Sequence, residues 1–177
     1  MSNNNSRPTI RPTIVSSPFR AHAVRFGPGT DLVPALLETA ATCNASCILT
    51  AVGSLEYVKL RMASAAAGEP NSLQYKELHE RMEIVSLVGT FSGNPAPCNK
   101  HLHMSVSRRD GSVVGGHVME GRIFTTLELV LGSLPEVTLT RETDAQTGYD
   151  ELVVRSSTSA TTATTTTTTT NADEHTV

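Results

Sequence analysis

The chain has 177 residues, a formal net charge of -3 at pH 7, and only 38% hydrophobic and 18% charged residues. That length suits one domain with tails, and no apolar run approaches the ~20 residues of a membrane-spanning helix. The 14 Lys and Arg are scattered, with Arg108-Arg109 the densest group, so the clustered positive charge needed for phosphate-driven nucleic-acid binding is missing.

Residues 1–18 are rich in Asn, Ser, Pro and Arg without sustained periodicity, and are expected to form a disordered arm. Met1 to Asn5 shows no basic start followed by an apolar stretch, so no secretory leader is expected. Phe19 to Phe26 alternates as a strand, and Gly27-Pro28-Gly29 breaks it. Thr30 and Asp31 then offer oxygens for a helix N-cap, with Pro34 tolerated in the first turn. Leu32, Leu36 and Ala40, flanked by Val33 and Leu37, make a helical face, and Asn44 is a left-handed stop. Cys47 to Val52 reads as a short strand broken by Gly53-Ser54, and Leu55 to Met62 as another. Ala63 to Gln74 reads as a loop. Strand-like runs follow at His79–Phe91, His101–Arg108, Ser112–Met119, Arg122–Leu131, Glu136–Arg141 and Tyr149–Val154, with a Pro- and Gly-containing loop over Ser92–Lys100.

The expected fold is one compact α+β domain over residues 19–154, a mostly antiparallel sheet with a flanking helix. Residues 155–177, almost entirely Ser, Thr and Ala at first, lack apolar groups to bury and are expected to be a disordered tail. Three cysteines, an odd number without a leader, predict reduced thiols in an intracellular protein, cytoplasmic or nuclear. Cys43 and Cys47 lack redox or zinc-knuckle spacing and are expected to pack at a helix-to-strand junction.

The candidate chemistry lies in His101, His103 and His117. Residues two apart in a strand share a face, so His101 and His103 do. The turn at Arg109-Asp110-Gly111 decides whether His117 joins them. A two-residue Asp110-Gly111 turn sets Met104 opposite His117, on the wrong face. A three-residue loop with Gly111 left-handed pairs Arg108 with Ser112, and so His103 with His117. Both turns are chemically sensible, and a slip of one residue destroys the cluster. Three imidazoles without an acid suit zinc better than calcium or magnesium, and leave a fourth position open. The plain alternative is three ordinary strand histidines. Gly115-Gly116 beside His117 favours the cluster, because paired glycines in a strand mark a bulge or a close backbone approach. Cys98, spaced Cys-x-x-His from His101, is a rival ligand. His22 and His79 lack a partner and read as solvated or hydrogen-bonded strand histidines, and His175 falls in the tail. Phosphate-loop and Gly-x-Ser-x-Gly signatures are absent, so no catalytic residue is assigned. Glu56, Glu83 and Glu128 read as solvent-facing strand positions.

Several segments together resemble a known family. They are Glu83-Ile84-Val85-Ser86-Leu87-Val88-Gly89-Thr90-Phe91, His101-Leu102-His103-Met104-Ser105, Gly111-Ser112-Val113-Val114-Gly115-Gly116-His117-Val118 and Thr126-Leu127-Glu128-Leu129. With Phe26-Gly27-Pro28-Gly29-Thr30-Asp31-Leu32 and Ala51-Val52-Gly53-Ser54-Leu55, they are similar to the plants-and-prokaryotes-conserved (PPC) domain, also called domain of unknown function 296. The resemblance spans about Phe19 to Val154. It implies a compact fold around a largely antiparallel sheet, assembled as a homotrimer. It also implies zinc at His101, His103 and His117, as in prokaryote-like members. Plant members carry an AT-hook, Arg-Gly-Arg-Pro, before the domain, which mediates trimerisation and contacts with nuclear factors. Here Arg7-Pro8 and Arg11-Pro12 lack the glycine and second arginine. The plant hexapeptide Gly-Arg-Phe-Glu-Ile-Leu stands as Glu80-Arg81-Met82-Glu83-Ile84-Val85, altered at three positions. The chain therefore resembles the histidine-bearing, stand-alone branch. Three functions follow in order of expectation. The first is a homotrimeric binding, scaffold or regulatory module with a three-histidine zinc site. The second is a zinc-dependent enzyme with Glu128 or Glu83 as base, and the third a DNA-associated regulator without an AT-hook.

Overall fold

A computed structural model describes residues 12–63, 75–93 and 99–157. Most of the expected arm and tail, the Ala63–Gln74 loop after its first residue, Cys98 and His175 fall outside these stretches. The described elements are β1 (Arg20–Phe26), α1 (Leu32–Cys43), β2 (Cys47–Arg61), β3 (Tyr75–Leu78), β4 (Met82–Ser92), β5 (Asn99–Ser107), β6 (Val113–Ser133), β7 (Val137–Thr143) and β8 (Asp150–Ser156).

The first six strands form one antiparallel sheet in the order β1-β6-β5-β4-β2-β3. β2 also pairs with β6 along most of its length, so β6, β5, β4 and β2 close into a barrel-like ring. Closure removes most exposed sheet edge and gives the alternating strands an interior to fill. Along β5, Leu102, Met104 and Val106 are fully or almost fully buried while His101 and His103 are exposed. Inward residues of other strands, Leu55, Leu60, Leu87, Phe91, Ile123 and Leu131 among them, complete the core. Helix α1 lays Leu32, Leu36 and Ala40, all without exposed surface, onto that core. β7 and β8 form a separate hairpin beyond the ring.

Four expectations change. With one helix against eight strands among the described residues, the fold is more β-dominant than a balanced α+β domain. Gly53-Ser54 does not interrupt a strand, nor does Glu120-Gly121. Each lies inside a single long strand, β2 or β6, whose pairing absorbs irregularities as register shifts. Gly53 serves close approach instead, since a Cβ there would stand 2.1 Å from the Thr126 carbonyl oxygen. The short strand β3 was not expected. It pairs its charged residues to β2, where Lys59 Nζ lies 2.8 Å from Glu77. At the start of α1, Asp31 occupies the N-cap but its side chain caps nothing. Its carboxylate accepts from Arg122 Nε at 3.1 Å instead. Asn44 ends the helix in the left-handed conformation at φ 56°, its N–H donating to the Ala40 carbonyl.

Candidate metal centre

The site is set by the turn between β5 and β6. Arg108 N donates to Ser112 O at 2.9 Å, and Gly111 N donates to Arg108 O at 2.9 Å. Gly111 stands at φ 80°, a left-handed conformation that costs a side-chain-bearing residue about 1–2 kcal/mol. Asp110 braces the loop by accepting from Ser112 N at 2.9 Å and Ser112 Oγ at 2.6 Å. This is the three-residue connection, and it places His103 opposite His117. Gly116 admits the neighbouring strand: a Cβ there would lie 2.7 Å from the Arg61 carbonyl oxygen of β2. The glycine pair thus marks a close approach, as its placement suggested.

Residues directly opposite each other across strands share a face. A row therefore crosses four strands on the outer surface, Arg61 of β2, His117 of β6, His103 of β5 and Val88 of β4. His101 sits one step along β5, opposite Thr90. The three imidazoles converge, with ring centroids 5.2, 5.3 and 5.4 Å apart. His101 Nε2 and His103 Nε2 are 3.2 Å apart, and one nitrogen from each ring lies within 4.8 Å of the others. Imidazole nitrogens bound tetrahedrally at ~2.0–2.1 Å are separated by about 3.3 Å, so only a small closure is needed. The Nδ1 of His117 is buried without a hydrogen-bond partner. An orphan polar atom of this kind carries a desolvation cost, which a cation bound by the ring would offset. The donor set, three nitrogens and no carboxylate, fits a borderline-soft divalent metal.

Electrostatics favour the neutral form of two of these rings, His101 and His117. Burial pushes the His117 pKa down to about 4, reinforced by Arg61, Lys100 and the other two histidines. His101 is lowered as well, first by burial and then by Arg141, His103 and Arg61, against an opposing pull from Glu151. Neutral imidazole is the form a metal takes.

Other expected residues fall elsewhere. Glu128 pairs with Arg25 and Val52, about 35 Å of strand from His117. Glu83 lies opposite Ser107, about 16 Å of strand from Val88. Neither reaches the imidazoles as a base. The acid whose charge acts on His101 is Glu151, from β8. His22 Nε2 and Ser133 Oγ form a hydrogen bond of 3.0 Å. His79 stacks 4.7 Å from the Tyr57 ring, in the wall of a separate cavity of about 720 Å³ that Glu56 also lines. Cys43 and Cys47 are free and half-buried, and burial raises the pKa of both thiols. The surrounding Arg61, Lys100, Arg141 and Glu151 escaped sequence reasoning. Only Lys100, adjacent to His101, carried a local signal.

Comparison with known proteins gives a consistent picture. A family model, the Plants and Prokaryotes Conserved (PCC) domain, matches residues 14–135. The bifunctional protein GlmU of Synechococcus sp. (strain JA-2-3B'a(2-13)) is 35% identical over 153 residues, 85% of this chain but 22% of that protein. The chain thus spans about a fifth of that relative. AT-hook motif nuclear-localized protein 16 of Arabidopsis thaliana is 34% identical over 125 residues, 69% of this chain and 46% of its own. Among solved structures, a hypothetical protein of Salmonella enterica superposes with a TM-score of 0.69 at 34% identity, covering 81% of this chain and 98% of its own. A metal-containing protein of Archaeoglobus fulgidus superposes with a TM-score of 0.61 at 25% identity, covering 79% and 99%.

Proposed function

Because the chain belongs to the Plants and Prokaryotes Conserved (PCC) domain family, called PPC above, we propose that it is a homotrimeric binding or regulatory module whose three imidazoles hold zinc. The observation that carries this reading is the convergence of His101, His103 and His117, with one nitrogen from each within 4.8 Å of the others on one sheet face. These residues would supply three neutral nitrogen ligands and leave a fourth position for water or a bound group. The solved relative described as metal-containing adds support. Trimerisation draws on the outer sheet surface, where Ala23, Val52 and Val130 line an open groove of about 490 Å³ together with Arg25, Thr50 and Glu128. Val52 there is 59% exposed, apolar surface that a partner copy would cover.

Metal analysis of tag-free protein tests the site. Purified protein should carry about one zinc per chain, and His101→Ala and His117→Ala should each lose it while keeping the β-rich circular dichroism spectrum. Metal content unchanged in both variants would discard the site.

A hydrolytic zinc enzyme is the second reading, favoured by the open fourth position and by Glu151 beside His101. A zinc-bound water reaches a pKa near ~7. The DNA-associated reading draws on the Arabidopsis relative's name, against the net charge of -3. Salt-sensitive retardation of duplex DNA is its expected sign.

A further inference from the structure

The cations around the imidazoles have no assigned role. Four of the protein's positive charges stand in ion pairs, Arg108 with Glu80, Arg122 with Asp31, Arg155 with Glu142 and Lys59 with Glu77. Among the described residues, Arg61, Lys100 and Arg141 take part in no ion pair.

They stand on three different strands, β2, β5 and β7. Arg61 is the cross-strand partner of His117 on the outer face. Lys100 precedes His101, and its Nζ donates to the carbonyl of Val118, next to His117, at 2.5 Å. Arg141 comes from β7, which is joined to the end of β4 where Gly93 N donates to Leu139 O at 2.8 Å. Its Nη1 donates to Asp150 O at 3.0 Å, while its Nε is buried without a partner. The positive charges of Arg61 and Arg141 are felt at His101, and those of Arg61 and Lys100 at His117.

The geometry points to an oxyanion site: a carboxylate or phosphate group bound over the three imidazoles, held by Arg61 and Arg141 at the open position of the metal. This rests on the metal reading and names the class of group that position takes. Positive charges beside a divalent ion repel one another and the ion, and Glu151 offsets only one of them. A bound oxyanion removes that repulsion and satisfies the buried Arg141 Nε. Guanidinium groups suit it, because their planar donors match carboxylate and phosphate oxygens. Arg141 also lies beyond the stretch that the family model matches.

The experiment loads the full chain with cobalt(II) and titrates it with inorganic phosphate, acetate or chloride at constant ionic strength, following the visible cobalt spectrum. Phosphate or acetate should shift the spectrum saturably, and the tighter of the two identifies the group. Chloride should be much weaker. Arg61→Gln and Arg141→Gln should each weaken binding roughly tenfold or more, the scale of one lost charge-assisted hydrogen bond. Arg141→Lys should retain part of the affinity, separating loss of charge from loss of fold, and Arg109→Gln should change nothing. Cobalt bound with a spectrum indifferent to both oxyanions overturns the inference and leaves the metal site standing. If the wild-type chain binds no cobalt, the metal reading fails by itself. The anion site is then read by phosphorus NMR on metal-free protein, where phosphate binding lost in Arg61→Gln supports it and absence of binding overturns it.

Discussion

His117 carries the sharpest chemical signature in the molecule. Its pKa falls from an ordinary 6.5 to about 4 because burial and the nearby Arg61 and Lys100 penalise the imidazolium. The sign of the stability effect follows from proton linkage. Above about pH 6.5 the ring is neutral in both folded and unfolded chains. Below that value the unfolded chain takes up a proton that the folded chain refuses until about pH 4. Metal-free protein should therefore lose stability progressively as pH falls across that window, with the loss levelling off below it. Thermal melts of metal-free wild type and His117→Gln across this range check it. The wild type should show the steeper acid slope, and parallel slopes would count against a depressed His117.

At the scale of elements, the β5–β6 turn is where a local conformation controls distant chemistry. Gly111 has open space around its Cα, so a side chain there meets a backbone penalty and no clash. Gly111→Val should cost about 1–2 kcal/mol, visible as a lower denaturation midpoint. It should also weaken zinc retention, because the hairpin no longer favours the register that pairs His103 with His117. Unchanged stability and metal content in Gly111→Val would mean that β2 and β4, flanking the pair on either side, hold the register without the turn. The two long strands teach a related lesson. β2 and β6 run through glycines that look like breaks, because barrel strands bend at bulges and close approaches where an open sheet would end.

At the scale of the whole molecule, the described residues contain no helix long and apolar enough to cross a membrane. The described residues make a β-barrel-like ring with one covering helix and an appended hairpin. The proposed trimer predicts a solution mass near three times the 18.8 kDa chain, measured by light scattering. Val52→Lys, on the outer groove, should shift that mass towards the monomer. A monomeric wild type would remove the trimer and leave the imidazole cluster intact.

The sequence alone was enough to put His101 and His103 on one strand face and to mark most strands. Strand alternation, a tight turn and a glycine pair are local signals, fixed by backbone sterics within a few residues. Helix α1 was legible for the same reason, from the spacing of Leu32, Leu36 and Ala40. The choice between two turns stayed open, because both Asp110-Gly111 and Arg109-Asp110-Gly111 satisfy local chemistry. Only the tertiary structure decided it, since pairing β6 against β2 as well as β5 selects one register. Closure of the ring, the approach of Arg61 to His117 and the reach of Arg141 and Glu151 from β7 and β8 to His101 also needed three dimensions. Those arrangements bring together residues far apart in the chain, and their energies depend on burial and charge that no short window of sequence contains.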